Sequence, residues 1–243
     1  MKRLLLFCLS LTLCSLPARG EDEPASDRTI LVFVALCDNE SQGIVKVGAA
    51  IGDGDKPDAN LYWGCDDGFG KVFPRSSNWD VVEKKSDLNE TVLRQLELKH
   101  RKESLRIIAK AYRGSEITLC YTDFETALSK GEADLVVFIG HNVLMDTRIP
   151  EPMVSTDAEP ASIVLACVSE RYCRPRLEKM GAVPVLLTQQ LMYPGAFLLH
   201  DAIESWRKGE SPGEIRAAAG RAYARNQSIS VRAGTGIFAD LKE

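Results

Sequence analysis

The chain lacks the signatures of several common function classes. No run of Lys and Arg forms a nucleic-acid patch. A formal net charge of −4 over 243 residues gives no general attraction to phosphate backbones. No apolar stretch reaches the roughly 20 residues that a membrane-spanning helix needs. No C-x-x-C occurs and no histidine pair lies near a cysteine, so the spacing of a zinc site is missing. Gly48-Ala-Ala-Ile-Gly52-Asp-Gly54 has the wrong spacing for a dinucleotide fingerprint, and no G-x-S-x-G hydrolase elbow is present. Asp53, Asp55 and Asp58 do not follow the spacing of a calcium loop and read as turn residues in a solvated segment. Neither a metal nor a cofactor is expected. There is no internal repeat, low-complexity tract or linker.

What is present begins with a leader. Met1-Lys2-Arg3 is cationic, Leu4 to Leu16 is apolar apart from Ser and Thr, and Ala18-Arg19-Gly20 supplies the small residues of a cleavage site. Leu13 precedes Cys14 where a lipidated cysteine would follow Gly or Ala. Residues 1–20 therefore read as a signal peptide cleaved near Gly20. The protein is expected to be exported, periplasmic or extracellular, with no stable membrane insertion after cleavage. Residues 21–243, about 223 of them, suit a single α/β domain. Five cysteines remain in that domain: Cys37, Cys65, Cys120, Cys167 and Cys173. An odd number in an oxidising compartment leaves at least one thiol unpaired, and a local Cys167–Cys173 disulfide stays open.

Glu21 to Arg28 is polar. Thr29 to Cys37 reads as a strand ending at Asp38-Asn39-Glu40, and Leu61 to Lys71 as a short helix. Trp79–Lys84, Val92–Lys99 and Leu105–Tyr112 read as strands, the first two as a hairpin. Ser115 and Glu116 open an amphipathic helix that runs to Lys130 and is closed by Gly131. Strands over 134–139 and 162–166 flank a Pro-containing loop, 146–160. A helix over Arg174–Met180, a strand over Ala182–Leu187 and helices over Gly195–Lys208 and Pro212–Asn226 follow. The alternation implies helices packed on a mainly parallel sheet.

Two segments stand out, Leu135-Val-Val-Phe-Ile-Gly-His141 and Ser162-Ile-Val-Leu-Ala-Cys167. Each is a short apolar run of the kind buried on both faces of a parallel sheet, and each stops on a residue able to do chemistry. Ligands and catalytic groups sit beyond the carboxyl ends of such strands. A crossover of about 20 residues permits the two strands to be neighbours. The imidazole and the thiol then meet as a base and a nucleophile. Backbone N–H groups of Cys167 and of Gly140 or Asn142 are the available donors to an oxyanion. Of the other histidines, His100 lies in the charged stretch Lys99-His-Arg-Lys102 and reads as solvated, while His200 in an apolar helix reads as structural.

An apolar strand ending in His, followed by an apolar strand ending in Ala-Cys, resembles the caspase-like (clan CD) cysteine peptidases. The likeness covers roughly Asp134 to Asn226 and is nearest in pattern to bacterial CHAT and clostripain-type domains. The resemblance implies a caspase-like three-layer α/β/α sandwich with a mostly parallel central sheet. It also implies a catalytic dyad, His141 as base and Cys167 as nucleophile, that hydrolyses peptide bonds in a protein or peptide substrate. The family usually carries Gly directly after the histidine, where this chain has Asn142. A charged residue near the end of the first strand helps several members bind the substrate side chain. Asp38 stands in that region and implies a preference for Lys or Arg. A second class of function fits the same residues: a degenerate caspase-like domain that binds a protein or peptide without cleaving it.

Overall fold

The first apolar run alternates between two cores. In a computed structural model that describes residues 27–153 and 159–241, it forms β1 (Arg28–Ala35). Ile30, Val32 and Val34 enter one core, and Phe33 and Ala35 enter the other. A strand buried on both faces belongs in the middle of a sheet, and β1 is the fourth of seven. β2 (Trp79–Ser86), β3 (Val92–His100), β4 (Leu105–Tyr112), β5 (Leu135–Ile139), β6 (Ala161–Leu165) and β7 (Val183–Leu187) complete it in the order β2-β3-β4-β1-β5-β6-β7. β4, β1, β5, β6 and β7 run parallel, and β3 is antiparallel to both β2 and β4. The β2–β3 hairpin follows the sequence expectation. β2 is an edge strand carrying Glu83, Lys84 and Lys85, charges that discourage pairing with a further strand.

Helices cover both faces, giving an α/β/α arrangement. α1 (Phe69–Arg75), α4 (Ala196–Trp206) and α5 (Pro212–Gln227) pack on one side through residues such as Phe69, Leu199 and Tyr223. α2 (Ile117–Lys130) and α3 (Ser169–Lys179) pack on the other through Phe124, Leu128, Cys173 and Leu177. α2 stops at Gly131, whose φ of 61° suits a residue without Cβ. α5 starts on a capping box, in which the Ser211 hydroxyl and the Glu214 carboxylate satisfy each other's backbone N–H. Leader residues 1–20 lie outside the described residues.

Several sequence expectations shift. The helix placed over Leu61–Lys71 lies instead at Phe69–Arg75, because residues 60–68 form tight turns. A Cβ on Gly64 would sit 2.2 Å from the Asp58 backbone, and one on Gly68 2.5 Å from that of Trp63. α3 begins at Ser169 rather than Arg174, since burial of Cys173 and Leu177 outweighs the interior Pro175. A short α6 (Val231–Thr235) closes against α5 and had no sequence signal. His100 is the clearest correction: it is 3% exposed, its ring set edge-on to Trp79 at 5.0 Å, and burial lowers its pKa. Its charged neighbours hid an inward position at the end of β3.

The loop after β1 is organised by one buried amide. Asn60, fully buried, accepts from the Cys37 N–H at 3.0 Å and the Tyr62 N–H at 3.1 Å. It donates to the carbonyls of Cys37 at 2.7 Å and Asp53 at 3.0 Å. Asn60→Ala strands both backbone groups of Cys37 and should cost about 2–4 kcal/mol in urea denaturation. A loss below about 1 kcal/mol would mean that the end of β1 is held by other contacts.

Candidate active site

Four parallel strands end at one edge, and each is followed by a residue that borders a common cavity. These are Cys37 beyond β1, His141 beyond β5, Cys167 beyond β6 and Met192 beyond β7. β5 and β6 pair Ile139 with Leu165, and His141 and Cys167 each stand two residues past that pair. The ladder extends by one further bond, from the Gly140 N–H to the Leu165 carbonyl at 3.2 Å. A Cβ at Gly140 would crowd Ala35 Cβ at 3.1 Å, so glycine lets β5 lie close to β1 at this level.

The chain leaves β5 through a 3-10 turn, Val143–Met145, built on Asn142. Asn142 is buried. Its Oδ1 accepts from the Leu144 N–H at 3.2 Å, and its Nδ2 donates to the Cys167 carbonyl at 2.6 Å. The residue that departs from the caspase-like pattern therefore braces the histidine-bearing segment against the cysteine-bearing one. A glycine offers no side chain for either bond.

The turn delivers Asp146 to His141. Its Oδ2 lies 2.6 Å from His141 Nε2 and also accepts from the Gly43 N–H at 3.0 Å. A carboxylate on Nε2 places the proton there and leaves Nδ1 as the basic nitrogen. A Cβ at Gly43 would lie 2.6 Å from both Asp146 carboxylate oxygens, so glycine is what admits the carboxylate. Asp146 had no sequence signal of its own. It is one of many polar loop residues, and only the turn after His141 folds it back.

Cys167 is half-buried, and its Sγ lies 3.8 Å from the Met192 carbonyl. Val168 follows in the left-handed region, φ 52° and ψ 36°, an uncommon place for a β-branched residue that costs about 1–3 kcal/mol. The strain lets β6 turn directly into α3 with Cys167 at the bend. It is held by the Val168 N–H on the Gln190 carbonyl and by buried bonds between Ser169 and Thr188.

Not every expected residue reaches the site. The Gly140 N–H is used in the ladder, so it is not free to donate to an oxyanion. The N–H groups of Asn142 and Cys167 have no partner among the described residues. Asp38 is spent on its own turn: it accepts from the Glu40 N–H at 3.1 Å and the Ser41 hydroxyl at 2.6 Å and does not border the cavity. All five cysteines of the described residues are free, so Cys167 and Cys173 form no bridge. Cys173 is buried beside Tyr121, and burial pushes its thiol up to about 12. His200 is structural, with Nε2 2.8 Å from the Ser76 hydroxyl. Asp53, Asp55 and Asp58 pair with Lys56, Arg113 and Arg94, and no metal-binding cluster occurs among the described residues.

Two thiols border the cavity, and burial separates them. It pushes Cys37 up to about 11, so very little of its thiol is ionised near neutral pH. Iodoacetamide on the native protein should modify Cys167 and the half-buried Cys65, and spare Cys37, Cys120 and Cys173 until denaturant is added. Peptide mass mapping reads this out, and Cys37 alkylated as fast as Cys167 would remove the distinction. Compared with known proteins, the chain matches no family model, no curated protein and no solved structure.

Proposed function

We propose that this chain is an exported cysteine endopeptidase of caspase-like type, with Cys167 as nucleophile, His141 as base and Asp146 as the residue that positions His141. The observation that carries this reading is the shared cavity. His141 and Cys167 border it at matching positions beyond two paired strands, and Nε2 of His141 is held by the Asp146 carboxylate. The order of elements supports it as well: a strand ending in His141 is followed by its neighbour ending in Ala166-Cys167, as in the caspase-like pattern.

The reaction balances on these groups alone. Cys167 Sγ adds to the substrate carbonyl as its proton passes to His141 Nδ1. The tetrahedral oxyanion sits against the N–H groups of Cys167 and Asn142. Collapse breaks the C–N bond, and His141 returns the proton to the departing amine. Water, deprotonated by His141, then attacks the thioester. The carboxylic acid leaves and the Cys167 thiol is restored. Asp146 stabilises the imidazolium formed in each half and keeps the ring from rotating.

A second reading, a binding module without cleavage, has one observation in its favour. The hydrogen-bond partner of Cys167 Sγ is the Met192 carbonyl rather than His141. A peptide acyloxymethyl ketone separates the two, because its carboxylate leaves only when a reactive thiolate forms the thioether. Labelling is expected in the wild type and lost in Cys167→Ala. Equal labelling of the two proteins, or none with any probe, would remove the peptidase reading. His141→Ala should lower kcat/KM by about 10²–10⁴. Asp146→Asn should lower kcat about tenfold with KM little changed, and Asp146→Glu should recover part of it. Gly43→Ala, which displaces the carboxylate without removing a reacting group, should reproduce the Asp146→Asn loss.

A further inference from the structure

The cavity beside Cys167 has a volume of about 380 Å³, within the range of roughly 300–1,000 Å³ common for ligand sites. Its walls come from two segments. Ile44, Val47 and Leu61 belong to the long loop after β1, while Met192, Tyr193 and Pro194 follow β7. Among the described residues no Asp, Glu, Lys or Arg lines it. Its rim carries Val45, 91% exposed, and Leu191, 70% exposed, the two most exposed large apolar side chains of the described chain. Met145, also exposed, stands on the same rim beside the turn that bears Asp146. Folding gives no reason to gather three solvated apolar side chains around one opening, and such a cluster marks a binding surface.

From this lining we infer that the cavity selects an apolar side chain, such as Leu, Met or Phe, on the substrate residue whose carbonyl Cys167 attacks. The inference rests on the peptidase reading for the identity of that residue. A Lys, Arg or Asp side chain entering here would leave water without a counter-charge. Asp38, the carboxylate that the sequence offers for this role, has both oxygens committed to its own turn. An apolar side chain instead covers the walls and buries the solvated rim. The specificity is thus the reverse of the basic preference that Asp38 suggested.

Acyloxymethyl ketones differing only in the residue next to the ketone test this on the wild-type protein. Leu, Met and Phe probes should label Cys167 about 100-fold faster than Lys, Arg, Asp or Asn probes. Equal or faster labelling by a charged probe would overturn the inference and leave the peptidase reading standing. A binding measurement separates the opposite case. In Cys167→Ala protein with ¹³C-methyl methionine, acetyl-Ala-Ala-Leu amide at millimolar concentration should move the Met145 and Met192 methyl resonances, and acetyl-Ala-Ala-Arg amide should not. If no probe labels but the Leu peptide moves both signals, the apolar site stands and the peptidase reading falls. A Leu peptide that moves neither methyl overturns the apolar site. Leu191→Asp, at a position exposed enough to spare the fold, should shift relative labelling about tenfold toward Arg. An unchanged ratio would remove Leu191 from the specificity surface.

Discussion

Parallel pairing of β5 with β6 sets Ile139 opposite Leu165, and a single residue on each side, Gly140 or Ala166, separates that pair from His141 and Cys167. Both strands are buried on both faces, with Val137 and Ile163 in one core and Val136, Phe138 and Val164 in the other. A slip of one residue would exchange every side chain between the two cores. Packing of α2 on Phe138, on the face opposite α4 and α5, therefore fixes the relative height of His141 and Cys167. The chemistry at the edge inherits its geometry from the hydrophobic interior.

Beyond the strand ends the ladder no longer satisfies the backbone, and buried side-chain amides take over. Asn142 ties the Cys167 carbonyl to the turn after β5, Asn60 closes both backbone groups of Cys37, and Gln42 bridges the carbonyls of Leu36 and Gly114. All three are buried, where an unpaired polar group is costly and a paired one is rigid. A primary amide has both donor and acceptor, so one side chain can clamp an N–H and a C=O of separate segments. That is why the cavity walls can be irregular loop and still be placed precisely enough to form a site.

The same distinction explains what the sequence could reveal. Strands, helix ends and the two chemistry-bearing termini are local patterns: apolar runs, Gly131 after α2, Ser211-Pro212 before α5. They were legible because periodicity and capping involve neighbours along the chain. Asp146, Asn60 and the inward turn of His100 were not legible, because each depends on a contact with a residue brought close only by the fold. Asp38 failed for the converse reason. A carboxylate after a strand can face a cavity or cap its own turn, and two hydrogen bonds to Glu40 and Ser41 decide for the turn. Asn142 was visible as an anomaly, yet its role as a brace appears only with the Cys167 carbonyl beside it.

Val168 shows the cost of this arrangement. A β-branched residue in the left-handed region would relax into the extended region if its neighbours allowed it, and the bend would open. It does not relax because Ser169, one residue on, is locked between the Val164 carbonyl and Thr188, while Val168 itself donates to Gln190. Those partners lie on β6, at the end of β7 and just beyond it, so strain at the bend is opposed by the sheet and not by the loop alone. The same segment after β7 continues to Leu191 and Met192, which wall the cavity. The contacts that hold the strained bend behind Cys167 thus also hold the far wall of the pocket, and the position of the thiol and the shape of the site are set by one set of bonds.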